Sequence, residues 1–174
     1  MLRALKSQLM QLAKDPLDPF AQTIRARVGP KEAVRYTKGL RSMILVMPEL
    51  ITQIQAWLED PAVPARFRKL HGFLLTYLYH PDDFLPEGSS TGLFSYLDDA
   101  YLVGSVYCRT MGQMDHATCR SLPNLEDLSE QISIWLEAAR KLLPAETQRI
   151  ERLLEVVLEG RTQEAVHRLT GKAH

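Results

Sequence analysis

Between Pro64 and Pro81 the chain places Phe67, Leu70, Phe73, Leu74, Leu75, Tyr77, Leu78 and Tyr79 on almost every face of a helix. A helix that is apolar all round cannot lie on a water-facing surface, so it must be enclosed by neighbours. The segment therefore predicts a helical bundle with Ala65–Tyr79 at its centre. Its most apolar run, Gly72 to Tyr79, follows Arg66, Arg68, Lys69 and His71 and is far short of the ~20 residues that cross a bilayer. No membrane-spanning segment is expected. At 174 residues, 45% hydrophobic and 24% charged, the chain has the size and composition of one globular domain. Disordered, collagen-like and disulfide-stapled classes are excluded on composition.

The rest of the chain shows helical spacing, and alternating strand patterns with Asn-Gly or Asp-Gly turns are absent. Leu2, Leu5, Leu9 and Leu12 mark a first helix ended by Asp15-Pro16 and Asp18-Pro19; a second runs from about Phe20 to Val28 and stops at Gly29-Pro30. Lys31–Met47 and Pro48–Glu59 read either as two helices or as one helix kinked at Pro48. After the central helix come Leu93–Cys108, a polar irregular stretch over Arg109–Pro123, then Leu125–Leu143 and Ala145–Leu158 separated by Pro144. Gly160 is placed to stop the last of these, and Thr162–Leu169 closes the chain. The fold expected is a single all-α domain over 1–174, a bundle of about seven or eight helices around a central apolar helical hairpin. Met43, Met47, Trp57 and Trp135 fall at core positions of these helices.

Lys+Arg and Asp+Glu both number 21, so no bulk positive charge recommends a nucleic-acid partner. The distribution is uneven. Residues 1–50 hold nine basic against four acidic side chains, whereas residues 71–100 hold five acids and no Lys or Arg. The two parts are expected to attract each other within the domain. Cys108 and Cys119 lack CxxC spacing and read as reduced thiols. With Asp115 and His116 they match no standard zinc arrangement. The N-terminal stretch has no secretory pattern, which makes the cytoplasm the expected compartment.

The most distinctive segment runs Tyr79-His80-Pro81-Asp82-Asp83-Phe84-Leu85-Pro86-Glu87, then Gly88–Phe94, then Ser95-Tyr96-Leu97-Asp98-Asp99-Ala100. It resembles the YkvA-like domain of unknown function, in which an apolar helix, a Pro-x-Asp-x-x-Pro-Asp turn and a Gly-aromatic-Leu-Asp-Asp motif form an acidic hairpin. Pro81, Asp83, Pro86, Asp98 and Asp99 match directly. Glu87 stands for the usual Asp, Ser95 for the usual Gly, and the loop between is longer. The resemblance covers about residues 67–106, under a quarter of the chain. It implies a helical hairpin with an acidic turn in a bacterial protein, many such proteins being membrane-associated, and no established reaction.

Residue chemistry adds a separate expectation. Asp99 has Leu102, Val103 and Val106 at helical spacings, so it needs protonation, hydrogen bonds, a basic partner or a cation. Structural pairing is favoured, with Arg35 or Arg41 from the basic N-terminal third as partner. The sharper reading gives Asp82, Asp83, Glu87, Asp98 and Asp99 to a hard cation, Mg²⁺ or Ca²⁺, with Asp83, Glu87, Asp98 and Asp99 as its ligands. Phosphate cradling by Gly88–Gly92 is disfavoured by the surrounding acids and the missing Lys. No cofactor is expected otherwise. The function expected is a non-enzymatic interaction or scaffold module, with a protein partner or a second copy bound; the stripe Ile150, Leu153, Leu154, Val157, Leu158 could pair two copies. The alternatives are a divalent-metal-dependent enzyme using the acidic cluster, and a peripheral membrane adaptor using the first helix with Arg3, Lys6 and Lys14.

Overall fold

Gly29 and Pro30 show how closely local sequence sets this architecture. Gly29 takes φ +82°, a left-handed conformation suited to glycine, and its N–H closes the end of the second helix on Arg25 O at 2.9 Å. Pro30 then opens the next helix, where its missing N–H is no loss. The computed structural model describes residues 2–78, 92–114 and 128–169. Within them the elements are α1 (Leu2–Lys14), α2 (Phe20–Val28), α3 (Pro30–Glu59), α4 (Ala65–Leu78), the 3₁₀ turn η1 (Gly92–Tyr96), α5 (Leu97–Met111), α6 (Leu128–Leu142), α7 (Pro144–Leu158) and α8 (Thr162–Leu169). All the described elements are helical, and together they share one hydrophobic core. No described helix is long and apolar enough to cross a membrane.

Pro48 does not divide the chain. α3 runs through it as one helix, with Pro48 itself buried and Thr52 Oγ1 donating to Pro48 O at 2.9 Å. Pro144 opens α7 in the way Pro30 opens α3. The other end of α7 is a Schellman stop: Gly160 has φ +86°, its N–H reaches Val157 O, and Arg161 N–H reaches Val156 O, both at 3.0 Å.

The centre of the bundle lies one helix away from the expected place. α5 is buried without interruption from Ala100 to Tyr107 and packs on α3, α4, α6 and α7. α4 buries Phe67, Leu70, Phe73, Leu74 and Tyr77, yet it leaves Leu75 and Leu78 half-buried and Arg66, Lys69 and Thr76 in water. Its apolar residues exceed what its neighbours cover because one edge faces outward. α5 also continues to Met111, so Arg109–Met111 is helical where irregular structure was expected.

The N-terminal leucine stripe is used internally. Leu9 is buried, Leu2, Leu5 and Leu12 pack partly against the core, and α1 lies on α3. Ile150, Leu153, Leu154 and Val157 are likewise buried within their own chain, so the stripe suggested for pairing two copies faces the bundle instead.

Candidate functional site

The acidic motif falls into two parts. Asp82, Asp83 and Glu87, together with His80, Pro81, Pro86 and the Gly88–Thr91 run, lie outside the described residues, as do Asp115, His116 and Cys119. Asp98 and Asp99 stand in the first turn of α5, where a carboxylate complements the positive end of the helix dipole. Their burial is the reverse of the emphasis that the flanking residues suggested: Asp98 is 0% exposed and Asp99 only half-buried. Because α5 is enclosed on all sides, apolar neighbours at three and four positions did not single out one aspartate. Among the described residues no three His, Cys, Asp or Glu side chains come together as a metal site.

The approach to α5 is fixed by a residue from the far end of the sequence. Asp18 Oδ1 accepts from Phe20 N–H at 2.9 Å in an Asx turn that meets the first N–H of α2, while Oδ2 accepts from Leu93 N–H at 2.7 Å near the start of η1. Gly92 has φ +70° and lies so close that a Cβ there would collide with the Asp18 carboxylate. A carboxylate against Gly92 also disfavours the phosphate reading of this loop. Arg27 completes the junction, stacking 4.9 Å over the Phe94 ring and donating to Leu142 O at the end of α6.

Arg35 and Arg41 stand on α3. Arg35 is exposed, with its guanidinium 5.9 Å from the centre of the Tyr36 ring; Arg41 is half-buried. Arg35 lines a small depression of about 110 Å³ between α3 and α6, together with Tyr36, Gly39, Ile134, Trp135 and Lys141. Gly39 makes this seam: a Cβ on it would stand 2.6 Å from Trp135 Cδ1, so the indole lies directly on the α3 backbone. Trp135 is therefore half-buried at a surface rather than in the core, in contrast to Met43, Met47 and Trp57, which are fully buried. Lys141 Nζ donates to Tyr36 OH at 3.1 Å, and this bond holds the ammonium's pKa above its ordinary value.

Sequence reasoning missed a polar hub where three helices meet. Glu151 of α7 accepts from Tyr101 OH of α5, from Arg109 of α5, and from Arg140 of α6 at 3.2 Å. Arg140 Nε also donates to Tyr101 OH at 2.8 Å. Burial alone would raise the Glu151 carboxyl, but the Tyr101 and Arg109 hydrogen bonds outweigh it and hold the group below the usual carboxylate range. Burial, reinforced by Glu151, pushes the Tyr101 phenol up to about 12, so it remains a donor. Glu151 looks in sequence like any acid on an amphipathic helix. Its role arises only where three helices meet.

A second buried centre lies between α3, α4 and α5. His71 is 0% exposed, and its Nε2 is 2.9 Å from Thr110 Oγ1. Thr110 donates its single hydroxyl proton to Val106 O at 2.9 Å, so His71 must donate through Nε2–H and carry a bare Nδ1. That nitrogen has no hydrogen-bond partner among the described residues. Burial pushes the imidazole down to about 4, keeping it neutral. Trp57 is sandwiched between His71 and Tyr107, with ring centres 5.9 and 5.3 Å away.

Near the C-terminal end of α5, Cys108 is half-buried and free. Burial raises its pKa, which leaves a protonated thiol rather than a nucleophilic thiolate at neutral pH. Set against protein-family models, curated proteins and solved structures, the chain finds no match.

Proposed function

We propose that this chain is a non-enzymatic interaction or scaffold module, working in the cytoplasm, with residues 67–106 as a YkvA-like acidic hairpin. Its docking surface is the α3–α6 seam. The observation that carries this reading is the side-chain set around that depression: Tyr36, Arg35 and the half-buried Trp135 beside Ile134, which is 60% exposed. Trp, Tyr and Arg are the residue types that dominate binding hot spots, and a fixed indole loses little conformational freedom on contact. Arg35 and Lys141 outnumber Glu137 among the residues lining the depression, with Glu32 acting on Lys141 from outside it. The partner is therefore an acidic protein segment that places one apolar side chain between Ile134 and Trp135. The use of Glu151, Tyr101, Arg109 and Arg140 in holding three helices together also supports a structural economy for the charged groups.

A photo-crosslinker placed at Ile134 in the full chain identifies the bound protein, whose affinity is then measured with purified components. Ile134→Glu should abolish binding and Arg35→Glu should weaken it, with unchanged melting. A partner whose affinity survives both substitutions would overturn the seam as the docking surface. Self-association in sedimentation that is lost with Ile134→Glu would replace the foreign partner by a second copy. Melting measured with Mg²⁺, Ca²⁺ and EDTA tests the metal alternative, and sedimentation with anionic vesicles tests the membrane one. A divalent-dependent activity removed by Asp98→Asn would overturn the non-enzymatic reading.

A further inference from the structure

We propose that the cleft between the start of α4, the end of α5 and the end of α7 binds a small amphipathic carboxylate. The cleft has a volume of about 360 Å³ and is lined by Arg66, Phe67, Cys108, Arg109, Gln113 and Leu158, with Gly112 at its edge. That is within the range of small-molecule sites, about 300–1,000 Å³. It lies away from the α3–α6 seam and does not depend on the function proposed for that surface.

Among the described residues both charged groups lining the cleft are arginines, and no carboxylate joins them there. Arg66 is held in place without being neutralised by any described residue: its guanidinium lies 5.0 Å over the Phe67 ring, and Nη2 donates to Gln113 Oε1 at 3.0 Å. Arg109 is bound to Glu151, but Glu151 also serves Arg140. Two guanidiniums against one carboxylate leave that trio with an excess positive charge beside the cleft. Arg66 adds a second, in the first turn of α4 where the helix dipole also favours an anion.

The remaining wall is apolar. Phe67 is buried beneath Arg66, Leu158 is half-buried at the end of α7, and the Cys108 thiol is uncharged. A planar carboxylate suits a guanidinium fork in bidentate geometry, and an attached alkyl or aryl body covers Leu158 and the uncharged Cys108. Charge alone would also admit inorganic phosphate. The apolar wall separates the two, because only a ligand with a hydrocarbon body gains from it.

The test is calorimetric titration of the full chain with octanoate, 2-naphthoate, acetate and inorganic phosphate. Octanoate or naphthoate should bind with a submillimolar Kd, and acetate and phosphate should bind about tenfold or more weaker. Arg66→Glu, at an exposed position, should weaken octanoate by about tenfold or more with an unchanged circular dichroism melt. In the wild-type chain octanoate should also slow alkylation of Cys108, read by peptide mass, which gives a measure independent of any variant. Failure of octanoate and naphthoate to bind, binding indifferent to Arg66→Glu, or phosphate binding as tightly as octanoate would overturn the assignment.

Discussion

The Glu151 hub and the His71 centre are alike in taking ionisable groups out of water, and opposite in how they make that tolerable. Around Glu151 the charge is kept: a carboxylate, two guanidiniums and a phenol from α5, α6 and α7 complete one another's hydrogen bonds. Around His71 the charge is given up, since one hydroxyl and the stacked Trp57 ring do not replace the water that burial removes from an imidazolium. The difference follows exposure. The Glu151 side chain is 24% accessible and retains some solvation, whereas His71 retains none. Of these two centres, the one at the rim keeps its charges as salt bridges and the one in the interior keeps a neutral ring with a single hydrogen bond.

Removing the hub's acceptor should have the largest effect. Glu151→Ala leaves Arg109, Arg140 and the Tyr101 hydroxyl facing one another without their shared acceptor. Partial exposure lowers the cost below that of a fully buried pair, so a loss of roughly 2–4 kcal/mol is expected in denaturant unfolding. A loss below about 0.5 kcal/mol would place the hub among ordinary surface salt bridges.

Acid should separate the two centres. The folded-state pKa of His71 is depressed from 6.5 to about 4. The unfolded chain therefore takes up a proton before the folded chain does. Stability from this residue is complete above about pH 6.5 and falls as pH drops toward 4, by about 3 kcal/mol in all. Glu151, also depressed, acts lower, its contribution being lost as pH falls below its ordinary value of 4.5. In His71→Leu the fall between pH 6.5 and 4.5 should flatten; an unchanged slope there would remove His71 as its cause.

Thr110→Val should cost about 1–2 kcal/mol, because it leaves His71 Nε2–H buried without its acceptor. The smallest effect distinguishes charge from neutrality. Raising NaCl to about 0.5 M should weaken the hub by a few tenths of a kcal/mol through screening and leave the His71 contribution unchanged. Measuring both in wild type and Glu151→Gln checks whether the salt effect belongs to the hub.

Much of the framework was legible in the sequence because breakers mark it. The limits of α2, the end of α7 and the starts of α3 and α7 follow from Pro and Gly at their ends. The long α3 was half legible: spacing left one helix or two, and only burial of Pro48 among neighbours shows that packing carries the helix through a missing hydrogen bond. Which helix is innermost was not legible, since α4 and α5 are both apolar on most faces and their difference lies in who surrounds them. The same blindness placed Trp135 in the core, although Gly39 across the seam draws it to the surface. Of the candidate acids, Asp98 and Asp99 are placed at the start of the innermost helix; the distinction between them depends on neighbours distant in sequence. Glu151, Arg66 and Arg109 carry no local pattern at all, because each acquires its setting from another helix.

Asp18 has a consequence for the order in which the chain assembles. Its two oxygens close loops of very different size, one spanning two residues to Phe20 and one spanning 75 to Leu93. The short closure forms with α2 itself, while the long one carries a much larger entropy cost and must wait for η1 to arrive. The bond to Leu93 is therefore expected among the last to form in folding and the first to break in unfolding. Asp18→Ala should accordingly accelerate unfolding far more than it slows folding, and a chevron whose folding arm moved most would place this junction in the nucleus instead. On that expectation the N-terminal third is a kinetic latch, whose release should loosen the start of the most enclosed helix before the rest of the bundle gives way.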